Sequence, residues 1–256
     1  MIDFQQQKVL FLGDVHGNEH WTEQVLELLD YEFIYQVGDF GINNSETFRP
    51  MIQGWLVINN AHMVAIPGNH ENYPLLHSWP INEHGFHVEP GNDRIWYATR
   101  GNVWTHCGYK IAALGGAFSI DRGFRKEGKS WWPEETITEE DYEALVDNML
   151  DAGWDNVDLF LSHDIPAGTQ PAPRGFANLP QALEDESLRQ RLILTKAVMH
   201  AAPKLLIHGH WHINMTSRFF GPDFTTECWG LNCDGFPGNF TETLDFPGLM
   251  ASFDVE

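Results

Sequence analysis

Residues 8–20 read KVLFLGDVHGNEH, and this stretch sets a pattern that recurs along the chain. The apolar run Val9–Leu12 has the length of a buried strand, and Gly13 ends it. The polar residues Asp14 and His16 follow, and a weaker helical pattern then covers His20–Asp30. A strand, a polar turn and a helix in this order are typical of a βαβ unit and of a parallel sheet.

Similar apolar runs recur and alternate with helical patterns. The predicted strands of the parallel sheet are Lys8–Gly13, Phe33–Val37, Met63–Ile66, Lys110–Leu114, Val157–Leu161 and Lys204–Ile207. The clearest helix is Glu139–Ala152, where apolar residues recur at helical spacing behind a capping box formed by Thr138 and Asp141. Weaker helical patterns cover Thr47–Asn59 and Leu183–Ala202.

The pattern changes after Trp211. Strand-like runs joined by Gly, Pro and Asn turns predict a second, antiparallel sheet beside the first; they are Met215–Phe220, Phe224–Trp229, Phe240–Leu244 and Leu249–Phe253. Glycine and proline are spread along the chain, and no internal repeat or low-complexity tract interrupts it. We therefore expect residues 1–256 to form a single domain.

The composition excludes several classes of protein. The 36 acidic and 15 basic residues give a net charge of -21, which disfavours non-specific binding to nucleic acid or to anionic membranes. No stretch approaches the roughly 18–20 apolar residues of a membrane span, and Val9–Leu12 is too short for the core of a signal peptide. Three cysteines are too few for a disulfide framework. These features favour a soluble, cytoplasmic protein.

Polar residues gather where five of the predicted strands end. They form the motifs Asp14-x-His16, Gly38-Asp39, Gly68-Asn69-His70-Glu71, Ser162-His163-Asp164 and His208-Gly209-His210-x-His212. The carboxyl ends of parallel strands open onto one crevice, so residues that are distant in sequence meet there. A single Asp after a strand is ordinary, but five such strand ends together indicate a site.

The residue types in these motifs indicate a metal centre. Carboxylate, amide and imidazole groups without cysteine suit Mn²⁺, Fe, Zn²⁺, Co²⁺ or Ni²⁺. About seven candidate ligands suit two ions better than one, and a carboxylate such as Asp39 would bridge them. Two ions about 3.5–4 Å apart form a template for phosphoryl hydrolysis, and they supply the positive potential that an acidic chain lacks. The P-loop, G-x-S-x-G and H-E-x-x-H motifs are absent from the sequence.

The ordered set of motifs between residues 14 and 212 resembles the calcineurin-like binuclear metallophosphoesterases. The resemblance implies an α/β fold, a four-layer sandwich of two mixed β-sheets flanked by helices. It implies two divalent transition-metal ions, manganese first, and direct attack on phosphorus by a metal-activated hydroxide without a phospho-enzyme. It assigns one metal to Asp14, His16 and His212, the other to Asn69, His163 and His210, the bridge to Asp39, and transition-state stabilisation or protonation of the leaving group to His70.

The second motif departs from two branches of this superfamily. It reads Gly38-Asp39-Phe40-Gly41-Ile42-Asn43-Asn44, whereas protein Ser/Thr phosphatases carry G-D-x-x-D-R-G. Ile42 stands at the position of the Asp that supports the motif histidine in that branch, and at the position of a Tyr in purple acid phosphatases. Asn43 stands at the position of an Arg that binds phosphate in the protein phosphatases. We therefore expect a hydrolase of small phosphodiesters such as 2′,3′- or 3′,5′-cyclic nucleotides. A phosphomonoester or phosphoprotein phosphatase and a non-catalytic metal-binding scaffold remain alternatives.

A further loop follows the apolar run Ile111–Leu114 and is expected to open at the same end of the sheet. It contains Arg122 and Arg125, which are candidates for a contact with phosphate, and Trp131-Trp132, which are candidates for stacking on a base. A surface loop with partly buried tryptophans is the simpler interpretation. The sequence does not indicate an oligomeric state.

Overall fold

The computed structural model of the protein describes residues 4–42, 47–173 and 179–254. Twelve strands lie in the described residues. They are β1 (Val9–Leu12), β2 (Phe33–Gln36), β3 (His62–Ala65), β4 (Phe86–Val88), β5 (Ile95–Ala98), β6 (Val103–His106), β7 (Tyr109–Leu114), β8 (Leu159–Ser162), β9 (Leu205–His208), β10 (Met215–Phe220), β11 (Thr225–Gly230) and β12 (Phe240–Thr243).

The strands form two six-stranded sheets of the same design. The first has the order β12-β1-β2-β3-β5-β4 and the second the order β10-β11-β9-β8-β7-β6. In each sheet four central strands are parallel, and one antiparallel strand lies at either edge. The pair of mixed sheets that the resemblance implies is therefore confirmed. The single parallel sheet predicted from the apolar runs is wrong, because β1, β2 and β3 lie in the first sheet and β7, β8 and β9 lie in the second.

Alternation of apolar side chains along the strands explains the layers. In β1, Val9 and Phe11 face a core that also contains Ile111 and Leu161 of the second sheet, so this core lies between the two sheets. The side chain of Leu10 points to the opposite face of the strand and packs in a separate core on the outer face of the first sheet. A third core covers the outer face of the second sheet. Both faces of both sheets are buried, as central parallel strands require.

Helices cover the two outer faces. The described helices are α1 (Glu19–Leu28), α2 (Phe48–Ile58), α3 (Tyr73–Ser78), α4 (Glu139–Asp151), α5 (Gln181–Ala201) and α6 (Phe246–Ala251). The first three pack on the first sheet, and α4 and α5 pack on the second. The predicted capping box of α4 is confirmed, since Thr138 accepts from the Asp141 N–H and Asp141 accepts from the Thr138 N–H. No helix in the described ranges is long and apolar enough to cross a membrane.

Two sequence predictions about the end of the chain are wrong. The strands after Trp211 do not form a sheet of their own, because β10 and β11 extend the second sheet beside β9 and β12 pairs with β1 in the first. Residues 249–253 are helical rather than extended. Asp245 caps α6 by accepting from the Gly248 N–H, Pro247 stands in its first turn, and Phe246 and Met250 bury one face.

The sequence analysis also missed the β4–β6 region and the short helix α3. β4 (Phe86–Val88) and β6 (Val103–His106) are short and contain His or Thr among their apolar residues, so they form no clear apolar run. The single-domain prediction for residues 1–256 stays a prediction.

Candidate metal centre

The parallel strands bring the predicted motifs to one end of the sandwich. Asp14, Asp39 and Asn69 follow strands β1, β2 and β3 of the first sheet, whereas His163 and His210 follow β8 and β9 of the second. The two sheets therefore contribute to one cluster, although its residues are separated by up to about two hundred positions. The physical reason is the shared direction of the central strands in both sheets.

The core of the cluster is buried. Asp14, Asp39 and His163 offer ligand atoms that all lie within 4.8 Å of one another. Asp39 Oδ2 lies 3.3 Å from His163 Nε2 and 3.6 Å from His16 Nε2, so this carboxylate stands between two imidazoles. Asn69 Oδ1 lies 3.0 Å from His163 Nε2.

A second group opens toward solvent. Asp14, His16 and His212 also offer atoms within 4.8 Å of one another, and His212 Nε2 lies 3.0 Å from Asp14 Oδ2. His16 Nδ1 is 2.8 Å from Asp234 Oδ1, which orients the ring with Nε2 toward the cluster. Asp14 thus belongs to both groups.

Hydrogen bonds decide which atoms face the cluster. His163 Nδ1 donates to the Val37 carbonyl oxygen at 2.9 Å, so Nε2 carries no proton in the neutral ring. Asn69 Nδ2 donates to Ser119 Oγ at 2.9 Å, so Oδ1 points the other way. When His163 is neutral, as in a metal ligand, its Nε2, this amide oxygen and the Asp39 carboxylate are all acceptors, and they face one another. A cation satisfies such a set, and these ligand types suit transition metals, so the residues present fit a metal centre.

The pKa values reflect the same concentration of negative charge. Burial lowers the pKa of His163, but the carboxylates of Asp39 and Asp14 outweigh burial and raise it to about 10. Burial also lowers the pKa of His16, but the same two carboxylates outweigh burial and raise it to about 9. Burial raises the pKa of Asp39, yet the surrounding imidazoles outweigh burial and hold this pKa well below its usual range. The cluster therefore attracts positive charge.

Asn69 is held by a set of buried polar side chains that we call the Ser119 network, formed by Ser119, Arg125 and Glu135. Ser119 Oγ accepts from Asn69 and, at 2.7 Å, from Arg125 Nη1, and its single proton goes to Glu135. Arg125 Nη2 also bonds Glu135 Oε1 at 3.0 Å. Because the hydroxyl has one donor and two acceptor sites, this arrangement fixes the direction of the Asn69 amide.

Glu71 shapes the loop that carries Asp39. Its carboxylate accepts from the backbone N–H groups of Phe40 at 2.6 Å and Ile42 at 2.8 Å. Burial and the nearby Asp39 raise its pKa to about 7, against the effect of these hydrogen bonds. Glu71, in the motif that contains Asn69, therefore holds the loop that carries Asp39.

Three motif glycines leave space that site residues occupy. A Cβ on Gly38 would lie 1.8 Å from His163 Nδ1, one on Gly68 would lie 2.2 Å from Asp39 Oδ1, and one on Gly209 would lie 2.0 Å from Asp14 Oδ1. No larger residue fits at these positions without displacing the cluster.

Site residues also adopt unusual backbone conformations. Seven non-glycine residues of the described chain have positive φ, and four of them belong to the predicted ligand set: His16, Asp39, His210 and His212. Such conformations are costly for L-residues and are concentrated at functional sites.

The remaining predicted residues lie at the edge of the cluster or away from it. His70 donates its backbone N–H to Asp39 Oδ1 at 2.8 Å, and its ring centroid is 5.7 Å from that of His16. The His210 ring lies 5.0 Å from the His163 ring. The contacts of Arg122 are with Glu186 at 2.9 Å and with the Phe118 ring, so its predicted contact with phosphate stays a prediction.

Sequence reasoning missed the residues that support the cluster. Asp234 and Glu135 lie in none of the strand-end motifs. Ser119 lies in the loop after Ile111–Leu114 and Glu71 in the third motif, but neither of them was assigned a role from the sequence. Arg125 was considered as a contact for phosphate, but it is engaged in the Ser119 network. Asn43, one of the two departures from the phosphatase motif, lies outside the described residues, as do residues 174–178 of the loop between Ile165 and Pro180.

Two mixed sheets with a carboxylate and imidazole cluster at their strand ends define the class of the metallophosphoesterases. The sequence matches the calcineurin-like phosphoesterase family over residues 7–214, and the chain belongs to this family. The resemblance found in the motifs is therefore confirmed. No curated protein matches the sequence.

Two solved structures are similar to this chain at low sequence identity. Phosphopantetheinyl hydrolase from Mycobacterium tuberculosis superposes with a TM-score of 0.50 at 15% identity, over 95% of this chain and 97% of that one. The sulfate thiohydrolase SoxB from Thermus thermophilus has a TM-score of 0.38 at 14% identity, and the alignment covers 94% of this chain and 45% of that one. The first likeness concerns the fold alone.

Proposed function

We propose that the protein is a metal-dependent hydrolase of small phosphodiesters, with cyclic nucleotides among its candidate substrates. Membership of the calcineurin-like phosphoesterases supports hydrolysis of a phosphoester. The observation that carries the metal requirement is the set of acceptor atoms on Asp39, Asn69 and His163 that face one another. Two divalent transition-metal ions are proposed, with manganese first.

The proposed ligand sets are those that the family resemblance implies, and they share Asp39, whereas the two groups of nearby ligand atoms share Asp14. Asp14, His16 and His212 would hold one ion, and Asp39 would lie between the two ions. Asn69, His163 and His210 would hold the other. When bound, two such ions lower the pKa of a water molecule, hold phosphate oxygens and neutralise the charge that develops on the leaving oxygen.

The protein itself would supply orientation and a proton. Asp234 and Val37 set the ring orientation of His16 and His163 by accepting from their Nδ1 atoms. The Ser119 network sets the Asn69 amide. His70 stands at the edge of the cluster, where its ring would donate a hydrogen bond to the leaving oxygen of the substrate and protonate it.

The preference for diesters rests on the second motif. Ile42 occupies the position of the supporting Asp of phosphoprotein phosphatases, and it is 1% exposed in the core on the outer face of the first sheet. This position therefore provides no charged partner for His70. A dianionic phosphomonoester should therefore be stabilised less in this site than in the site of a phosphatase that carries the supporting Asp.

The proposal is tested by removing metal with a chelator, restoring Mn²⁺ and comparing three substrates. These are an aryl phosphodiester, an aryl phosphomonoester and 2′,3′-cyclic AMP. We expect turnover that depends on Mn²⁺ and favours the diesters. Faster turnover of the monoester would instead establish the phosphatase alternative. Binding of metal without turnover of any substrate would support the scaffold alternative.

A further inference from the structure

A cavity of about 320 Å³ opens beside the candidate metal centre. His210 forms part of its wall, and Trp211 continues that wall away from the cluster. Its other apolar lining residues, among those described, are Ile120, Pro173, Leu179 and Leu188. A phosphoester whose phosphorus lies at the cluster would therefore direct one of its organic groups into this cavity.

Trp211 is a fixed wall rather than a mobile cover. Its Nε1 donates to Asp164 Oδ1 at 2.8 Å, and the Arg191 guanidinium lies 5.1 Å from the centroid of its ring. Arg191 in turn donates to the backbone carbonyl of Ile165 at 2.9 Å. The one cation that lines the cavity in the described chain is therefore engaged by the protein and by the tryptophan ring.

Among the described residues that line the cavity, the charge that remains is negative. Glu184 and Asp185 of α5 line it and are exposed. Asp185 accepts a hydrogen bond from Gln181, which carries no charge to neutralise it. A second phosphate or a carboxylate placed here would meet like charges, whereas a neutral apolar group would gain from burial.

We propose that this cavity binds one ester group of the substrate, that this group is aromatic or otherwise apolar and uncharged, and that Glu184 and Asp185 exclude substrates with a second phosphate on it. The inference rests on the proposed function, because it places phosphorus at the metal centre. It narrows the substrate to a phosphoester with a single phosphate and a bulky neutral group.

Binding of two phosphonates to the Mn²⁺-loaded protein tests the apolar part of the proposal. Phenylphosphonate and methylphosphonate carry the same anionic group, and neither is hydrolysed at its carbon–phosphorus bond. We expect calorimetry to show phenylphosphonate bound at least about tenfold more tightly, because only the phenyl ring reaches the cavity. Equal affinities, or no binding of either compound, would overturn the proposal.

Two leucines on α5 provide a matched pair of variants. Leu188 lines the cavity and is 46% exposed, and Leu192 lies one turn further along and is 47% exposed without lining it. Both side chains are exposed, so neither substitution should prevent folding. Leu188→Arg is expected to remove the preference for phenylphosphonate and to leave the affinity for methylphosphonate unchanged. Leu192→Arg should retain the preference, and the same loss in both variants would refute a specific cavity.

A doubly charged probe tests the acidic wall. We expect 1,4-phenylenediphosphonate to bind at least about tenfold more weakly than phenylphosphonate. The variant Glu184→Gln/Asp185→Asn should recover most of that loss without changing the affinity for methylphosphonate. If the variant leaves the discrimination intact, the carboxylates do not cause it and this part of the proposal is wrong.

The binding measurements separate this inference from the proposed function. Turnover of an aryl phosphodiester without a preference for phenylphosphonate would leave the hydrolase standing and refute the cavity. A preference that depends on Leu188, without turnover of any diester, would confirm the cavity and refute the hydrolase.

Discussion

The candidate centre has two halves that share Asp14 and differ in how the protein holds them. In the buried half, formed with Asp39, Asn69 and His163, the side chains of Asp39 and His163 are 2% and 0% exposed. In the open half, the side chains of His16 and His212 are 28% and 39% exposed, and the supporting Asp234 is 20% exposed. The same kinds of ligand therefore stand in two different environments.

The difference indicates which half depends on the fold. A buried ligand is held by the packing around it, whereas an exposed imidazole keeps rotamer freedom and is in contact with water. We expect the open half to release its ion first during chelation and the buried half to release its ion later. Four substitutions test this comparison, from the largest expected effect to the smallest.

Asp39→Ala should have the largest effect because Asp39 contacts imidazoles of both halves. Loss of a carboxylate between two ions should lower turnover by about 10³-fold or more and reduce the bound metal below two ions per chain. Metal analysis and initial rates measure both effects. Asp30→Ala, which removes an exposed partner of Lys8, is the control and should change neither. Full activity in metal-free wild-type protein would contradict the metal requirement itself.

His70→Ala should separate catalysis from metal binding. The ring lies beside the open half while the backbone N–H bonds to the buried half, so the variant should keep both ions. Turnover should fall by about 10²–10⁴-fold, the range for a lost acid or base, and more for an alkyl than for a nitrophenyl leaving group. His20→Ala, on the exposed surface of α1, should behave as wild type. A loss of metal in His70→Ala would make His70 a ligand.

Ser119→Ala tests the support of the buried half. It leaves the Asn69 amide and Arg125 without a shared acceptor, so the slowly released ion should bind about 10–100-fold more weakly. The free energy of unfolding should fall by about 1–3 kcal/mol because buried polar groups lose a partner. Ser217→Ala is the matched control, since both serines are 2% exposed and the Ser217 hydroxyl has no hydrogen-bond partner in the described chain. An equal effect of both variants on metal affinity would count against the network.

Asp234→Asn tests the support of the open half and should have the smallest effect. An amide oxygen still accepts from His16 Nδ1, but an NH2 group replaces the oxygen that accepts from Asn18 Nδ2 at 2.7 Å. The charge and that hydrogen bond are therefore lost, while the orientation of the His16 ring is kept. We expect the rapidly released ion to bind at most about tenfold more weakly, with the slowly released ion unaffected. Asp223→Asn, at an exposed turn, is the control. If Asp234→Asn weakens metal binding more than Ser119→Ala does, the proposed contrast between the halves is wrong.

The strands and the ligand candidates were predictable for the same physical reason. A buried parallel strand is a short apolar run, and glycine and polar residues mark its end. The same stretches of sequence therefore predicted both the strands and the polar cluster, at β1, β2, β3, β8 and β9. The placement of β10 to β12 was not predictable, because alternation within a strand does not say which sheet it joins. Leu249–Phe253 was read as a strand although Asp245 and Pro247 are signals of a helix start.

The supporting residues were not predictable because tertiary contacts alone define their roles. Asp234 reaches His16 across 218 positions of sequence, and Ser119 reaches Asn69 across 50. No period or motif connects such pairs. The steric role of Gly68 and Gly209 was likewise invisible until the carboxylates that they accommodate were located.

The positive φ angles of His16, Asp39, His210 and His212 have a consequence for how this protein tolerates change. Each such conformation costs about 1 kcal/mol for a non-glycine residue, so these four residues lower the stability of the fold at the candidate centre. Replacing the exposed His212 with glycine should therefore yield an inactive protein that, without metal, melts at a higher temperature than the wild type. Selection of this protein for thermal stability alone is therefore expected to replace these proposed metal ligands.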